Sequence, residues 1–331
     1  MKKKAKIVGC GLSGILSAVL LKQKGYAVKV YETRNHIGGN CYDANVCGVM
    51  MHNYGPHIFH TDDEEVFALL SKYTDWTPFA LQPKGNTSLG QISLPYSRKT
   101  ISEIGRELSQ QEIVDVIFKD YSEKQWGVAF DVIPKTITNR IPKTADCVDP
   151  TWFEGQKYQC IPTAGYTAMF ERMLEDIEVV TNCGIDDWKD AAADLTVYTG
   201  KIDAYYNYRY GQLPYRTLQF SHKITAQGMT HFIENENNNE VAHTRTYDHR
   251  YFTPEHKSGL TVVTTETPAE CKDGDVPFYP IPWGDAQRMY ARYEALGKDE
   301  KDVVFAGRLA TYKYLDMWMA VKQVMVKLRK F

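Results

Sequence analysis

Long apolar runs, an excess of one charge and paired cysteines are all missing from this 331-residue chain. No apolar stretch is long enough to cross a membrane, so no membrane partner is expected. Basic and acidic residues nearly cancel, 39 against 41, for a net charge of −2. No basic run exceeds Lys2-Lys3-Lys4, which leaves no electrostatic footprint for nucleic acid. The seven cysteines are scattered and odd in number, with no C-x-x-C pair. That usage points to a reduced, cytoplasmic protein rather than a disulfide scaffold or zinc site. There is no internal repeat. What is abundant is tyrosine, with 22 residues beside six tryptophans. Such a composition suits a polar, aromatic-lined cleft, although sheet surfaces also use tyrosine.

Two glycine motifs near the N-terminus carry the first chemistry. Strand-like Ala5 to Val8 runs into Gly9-Cys10-Gly11-Leu12-Ser13-Gly14, then a helical stretch from Ser13 to Lys24 and a second strand, Ala27 to Tyr31, closed by Glu32. In a G-x-G-x-x-G turn Gly9 makes the tight bend, Gly11 admits a pyrophosphate close to the backbone, and Gly14 lets helix and strand pack closely. The helix N-terminus, with Leu12 and Ser13, favours phosphate charge, and Glu32 can accept ribose hydrogen bonds. A lone motif of this kind is weak, but here strand, turn, helix and acid all fall in place. A signal peptide is the competing reading, from the basic start and apolar Ile7 to Leu21. No small-residue cleavage site follows Leu21, and the glycines keep cofactor spacing. The second motif, Arg34-Asn35-His36-Ile37-Gly38-Gly39-Asn40, lies just past the acid. As an ordinary turn it would carry little weight. Beside the first motif it directs the expectation from NAD to FAD, since backbone amides and an arginine there can reach a pyrophosphate.

The remaining pattern predicts an α/β protein with a discontinuous, Rossmann-like FAD-binding domain, a short helical domain and an antiparallel β-sheet domain. A helical stripe of Ile104, Leu108, Ile113, Ile117 and Phe118 predicts a helix over 101–120. Further helices are expected from Tyr166 to Asp176 and from Met317 to Leu328, with short strands at 179–181 and 195–198. Alternating β-branched and aromatic residues between 215 and 265 predict an antiparallel sheet, interrupted by a polar loop at Asn235 to Asn239. A strand at 303–307 followed by the last helix fits a doubly wound sheet closing on its first strand. The expected boundaries are 1–79, 163–212 and 300–331 for the FAD domain and 97–130 for the helical domain. The sheet and substrate domain takes 80–96, 131–162 and 213–299.

Three further segments resist explanation as packing alone: Tyr121-Ser122-Glu123-Lys124-Gln125-Trp126-Gly127, Asn139-Arg140-Ile141-Pro142, and Gly307-Arg308-Leu309-Ala310-Thr311-Tyr312-Lys313-Tyr314-Leu315-Asp316-Met317. With the second glycine motif and His52-Asn53-Tyr54-Gly55-Pro56-His57-Ile58-Phe59-His60, they resemble the UDP-galactopyranose mutase family, in order and over nearly the whole chain. The resemblance implies interconversion of pyranose and furanose forms of a UDP-sugar. It implies a reduced FAD whose N5 attacks the anomeric carbon and forms a flavin–sugar adduct, with no net redox change. An external reductant such as NAD(P)H or a flavin reductase would then be needed, and a homodimer is possible.

The resemblance also assigns roles. Arg140 and Arg245 match a diphosphate clamp, against the alternative that both are solvated surface arginines. Tyr121, Ser122 and Trp126 match the nucleoside and sugar pocket, with Trp152 or Thr151 at a uracil-stacking position; a plain hydrophobic helix face is the competing reading for Tyr121 and Trp126. Tyr279 and Tyr314 match tyrosines that contact the diphosphate. His57 matches a residue against the flavin ring, preferred to a loose metal cluster of His52, His57 and His60. Ile58, Arg308, Asp316 and Met317 fall with it on the cofactor side, Asp316 binding a ribityl hydroxyl or capping the last helix. The chain departs from the family at Leu81, where a polar asparagine is placed near the sugar, and in the short stretch between Pro95 and Tyr121.

Overall fold

A computed structural model of the protein describes residues 2–139, 148, 150–253, 255 and 259–331. Among these, a five-stranded parallel sheet and a seven-stranded sheet carry the fold. The parallel sheet runs in the order Glu178–Val180, Ala27–Tyr31, Lys4–Val8, Leu195–Tyr198 and Val303–Phe305. Its strands are short apolar runs because both faces are covered. Ile7, Val30 and Val197 are fully buried beneath helices Leu12–Gln23 and Met317–Lys327, which supply Ile15, Leu16, Val321 and Val324. The other face, with Val8, Tyr198 and Phe305, meets Tyr290 and Tyr293. Those two come from helix Gly284–Asp299, in a stretch expected to belong to the sheet region. The last strand also departs from expectation. Lys4–Val8 already has a neighbour on each side, so Val303–Phe305 pairs with Leu195–Tyr198 instead of the first strand.

The larger sheet is ordered Tyr279–Pro280, Tyr215–Thr225, Thr261–Glu270, Arg245–Asp248, Ile233–Glu236, Lys84–Thr87 and Gly90–Ser93. Its pairs are antiparallel except where Ile233–Glu236 meets Lys84–Thr87 in parallel. The expected polar loop at Asn235 begins as strand: Ile233, Asn235 and Asn237 are buried in alternation with the half-buried Glu234 and Glu236. Period-two burial prevails there over the turn preference of asparagine.

The single helix expected over 101–120 is two. Arg98–Ile104 ends at Gly105, which adopts φ +81°. A capping box of Ser109 and Glu112 then restarts the helix at Gln110. A π-type turn over Val114–Lys119 leads into Asp120–Trp126, which stops at Gly127 with φ +68°. Both stop glycines and the capping pair are ordinary local signals that the apolar stripe overrode in the sequence reading.

Candidate active site

The two glycine motifs meet in space. Gly11 and Gly38 form an isolated parallel bridge, and the Gly38 amide donates to the Cys10 carbonyl at 2.8 Å. Gly9 has φ +98°, and a Cβ on Gly14 would lie 1.9 Å from its carbonyl oxygen. Only glycine permits this approach of helix to strand. Glu32 is buried; its carboxylate accepts from the Cys10 amide at 2.6 Å and the Arg34 amide at 2.9 Å. It therefore ties both motifs together and stands at the end of its strand. Arg34 donates to Asn40 Oδ1 at 2.8 Å and lies 4.6 Å over the Tyr54 ring. Gly9, Gly11, Glu32, Arg34, Gly38 and Asn40 wall a cavity of about 950 Å³ together with Leu12, Ser13, Gly39, His57, Arg308, Asp316 and Met317. Arg308 is anchored by donating to the Phe278 and Leu315 carbonyls at 3.0 and 2.6 Å. A glycine-lined cradle, a helix N-terminus and a buried acid fit a dinucleotide.

The histidine-rich loop is oriented by its own rings. The His57 amide donates to His52 Nδ1 at 3.1 Å, and the His52 amide donates to His249 Nδ1 at 3.1 Å. His57 Nδ1 donates to the Gly55 carbonyl at 2.8 Å, leaving Nε2 as its acceptor. Burial lowers the His57 ring to about 4, so it is neutral near pH 7. His52 stacks on Phe252 and His60 on Phe153, while His60 Nδ1 meets Gln156 Oε1. The three imidazoles thus have separate partners. Ile58 follows His57 into a buried apolar cluster. Asp316 occupies the position before helix Met317–Lys327, but its carboxylate does not cap the first-turn amides. The capping alternative for Asp316 is set aside on that geometry.

A second cavity of about 480 Å³ adjoins the first, since Asp316 lines both. Tyr121, Ser122, Trp126, Trp152, Arg245, Tyr279 and Tyr314 all line it. Helix Asp120–Trp126 turns Tyr121, Ser122, Gln125 and Trp126 to one side. Lys124 holds the helix down by donating to the Asn238, Val241 and His243 carbonyls. Arg216 donates to the Lys124 and Gln125 carbonyls at its C-terminal end. Trp126, Tyr279 and Tyr314 form an aromatic cluster with centroids 5.6–6.0 Å apart. Burial pushes the Tyr121 hydroxyl up to about 12 and raises Tyr279 as well, so both keep their protons.

Arg245 sits opposite Glu266 in the antiparallel ladder. Its Nε and Nη2 donate to Glu266 Oε1 at 3.1 and 2.6 Å. Burial works against the guanidinium charge, but Glu266 and the nearby tyrosines outweigh it and the pKa is raised. Arg245 is consequently a fixed cation at the cavity wall. Arg140 lies outside the described residues.

Sequence reasoning missed Glu266 behind Arg245 and several residues of the cavity wall. Glu266 is fully buried, and its second oxygen has no hydrogen-bond partner among the described residues. Gln125 Nε2, Asn235 Oδ1 and Asn237 Oδ1 are likewise buried and unpartnered around the second cavity. Buried polar atoms without partners are rare, and a cluster of them facing a cavity signals a polar ligand. An acid within the β-branched run Thr261–Glu270 was the available sign for Glu266.

Comparison with known proteins agrees with this geometry. A family model described as UDP-galactopyranose mutase matches residues 116–314. A probable UDP-galactopyranose mutase of Klebsiella pneumoniae is 33% identical over 98% of this chain and 93% of its own length. The chain belongs to the UDP-galactopyranose mutase family. It is accordingly an isomerase. A second family model, an NAD(P)-binding Rossmann-like domain, covers residues 7–73, where the two glycine motifs lie. A dTDP-fucopyranose mutase of Escherichia coli is also 33% identical, over 97% of this chain and 96% of that protein. A crystal structure of reduced UDP-galactopyranose mutase shares the fold, with a TM-score of 0.77 at 12% identity, covering 98% of this chain and 92% of that one.

Proposed function

We propose that this chain interconverts UDP-galactopyranose and UDP-galactofuranose with the help of a non-covalent, reduced FAD. The observation that carries the reading is Arg245, paired with fully buried Glu266, in the wall of a tyrosine-rich cavity that adjoins the dinucleotide cradle. When bound and reduced, the flavin supplies the nucleophile that displaces the nucleotide at the anomeric carbon, with no net oxidation. The hard part of such a displacement is stabilising a departing diphosphate. Arg245 offers a preorganised cation for that charge, and Arg140 is its expected partner across the phosphates. Tyr279 keeps its proton and can donate to a phosphate oxygen, with Tyr314 stacked beside it. Tyr121, Ser122, Trp126 and Trp152 hold the nucleoside. Neutral His57 faces the cofactor with an acceptor nitrogen. On the cofactor side Gly9, Gly11, Gly14, Gly38, Gly39, Asn40 and Glu32 take the dinucleotide, and Arg308 and Met317 bound its far end. An external reductant, NAD(P)H or a flavin reductase, keeps the flavin active, and the protein works in the cytoplasm.

The test is to purify the protein, record its flavin absorbance, and incubate the dithionite-reduced form with UDP-galactofuranose. UDP-galactopyranose should accumulate without stoichiometric use of reductant. Oxygen uptake coupled one-to-one to product would favour a flavin oxidase or desaturase instead. A protein that holds no flavin and takes up none would remove the basis of the reading. The Escherichia coli relative favours a second reading, a mutase for another nucleotide sugar, because it is as similar as the first relative.

A further inference from the structure

Lys124 stands in the same sequence motif as Tyr121, Ser122, Gln125 and Trp126 but lines neither cavity. Its ammonium goes instead to the connection between strands Ile233–Glu236 and Arg245–Asp248. There it donates to the carbonyls of Asn238, Val241 and His243 at 2.6, 3.2 and 3.0 Å. An ammonium has three donors and no acceptor, so these carbonyls match it one for one. Asn239, Glu240, Val241 and Ala242 are exposed, so burial contributes little to holding the connection. Both ends of that connection belong to the substrate cavity. Asn235 and Asn237 line it where the first strand ends, and Arg245 lines it where the second begins. The polar wall is thus made of two pieces, a helix and a strand pair, and Lys124 and Asn238 meet across 114 residues of chain. The lysine's own main chain is fixed as well, its carbonyl accepting from Arg216 Nη2 at 3.1 Å.

Resting on the mutase reading above, we propose that Lys124 is a positioning residue of the reaction. Its ammonium sets the distance between the helix that carries Tyr121 and Ser122 and the strand pair that carries Arg245, so that a nucleotide diphosphate meets both at once. Lys124 itself touches neither nucleotide nor cofactor. Without the ammonium, three carbonyls lose their donor and the connection lifts from the helix. A nucleotide then engages the helix or Arg245 in good geometry, but not both together. Misplacement on the scale of an ångström is enough to cost about tenfold to a hundredfold. The cost depends on both walls being present. Once Arg245 is gone, the nucleotide has no second wall to align with, and losing Lys124 as well should add little.

The experiment is a double-mutant cycle read by UDP calorimetry on oxidised, flavin-loaded protein. Lys124→Met keeps the length of the stem and removes the charge. It should raise the UDP Kd at least about tenfold in the otherwise native chain, and less than about threefold when Arg245→Ala is already present. Flavin absorbance should be retained throughout. A residue that only stabilises the fold would lower the urea midpoint and either leave the Kd of the folded protein alone or raise it by the same factor in both backgrounds. Either of those results overturns the proposal. Lys124→Arg keeps a cation but brings a planar fork to three converging carbonyls. Its Kd should lie at least about threefold above the native value and below that of the methionine variant. An arginine variant that binds UDP no better than the methionine variant also overturns the proposal. If Lys124→Met does not retain flavin, the same cycle run with Lys124→Arg decides. A native protein that holds flavin but binds no UDP overturns the mutase reading and the proposal with it. Normal UDP binding with equal losses in both backgrounds overturns the proposal alone.

Discussion

The cofactor cavity is built around a cluster of glycines, the substrate cavity around a cluster of large side chains. In the first, Gly9, Gly11, Gly14, Gly38 and Gly39 bring two loops and a helix end so close that there is no room for a Cβ at Gly14 and little at Gly39. In the second, helices Asp120–Trp126 and Met317–Lys327, strands Ile233–Glu236, Arg245–Asp248 and Tyr279–Pro280, and loops from distant parts of the chain send in large side chains. The difference lies in what each ligand asks for. A pyrophosphate is held by amides that every residue owns, provided nothing blocks the approach. A departing diphosphate and a specific sugar need cations, hydroxyls and shaped apolar walls, which only side chains provide. The cradle should therefore fail through sterics and the substrate cavity through charge.

The largest effect is expected where sterics rule. Gly14→Ala puts a carbon 1.9 Å from the Gly9 carbonyl oxygen. The parallel sheet and its helix must separate, at about 3–5 kcal/mol. Loss of flavin uptake with a sharply lower urea midpoint would be the sign; a variant that binds flavin normally would break the contrast between the cavities.

Next comes charge. Arg245→Ala should cut turnover about a hundredfold, roughly 3 kcal/mol, while flavin stays bound. Arg140→Ala is expected to match it. Lysine should rescue either only in part, because an ammonium lacks the planar fork. Steady-state kinetics with flavin absorbance as the control decides this, and wild-type rates in both alanine variants would remove the clamp.

A pH effect joins the two cavities through the histidine loop. His249 is fully buried, accepts the His52 amide at Nδ1 and donates from Nε2 to Thr264. Burial lowers its pKa to about 3. Its folded pKa lies below the unfolded value, so the unfolded chain binds the extra proton first. The contribution is full above about pH 6.5 and is lost as pH falls toward 3, amounting to about 2 kcal/mol by pH 5. Urea melts at pH 7 and pH 5 should show this loss, and His249→Asn should flatten the slope. An equal slope in that variant would assign the acid sensitivity elsewhere.

The smallest effect sharpens the comparison most. Glu266→Gln keeps the shape beside Arg245 but removes the charge that steadies it. Turnover should fall about tenfold, near 1.4 kcal/mol, with flavin affinity unchanged. A matching loss of flavin would mean that the two cavities are not separable.

The dinucleotide cradle was legible because its determinants are contiguous: strand, glycines, helix and acid fall within residues 4–40, and their spacing is the geometry. Helix 101–120 was misread for a local reason, the apolar stripe having outweighed Gly105 and the Ser109–Glu112 capping pair. Helix Gly284–Asp299 was not anticipated: its stretch was assigned to the sheet domain with no element of its own, and its tyrosines find their face only against the parallel sheet. Arg245, Tyr121, Trp126, Tyr279 and Tyr314 were reached through resemblance, since no spacing in the chain announces that they converge.

By itself the sequence determined the local pieces: where the first turn bends, which runs alternate, where helices stop, and that a dinucleotide is cradled near the N-terminus. Those depend on backbone sterics and on side-chain periodicity within a few residues. Only the tertiary structure decided that Glu266 lies opposite Arg245, that Asn235 and Asn237 turn inward, and that Tyr121, Arg245, Tyr279 and Tyr314 line one cavity. Contacts between segments tens to hundreds of residues apart follow from sheet register and buried packing, which no local pattern encodes.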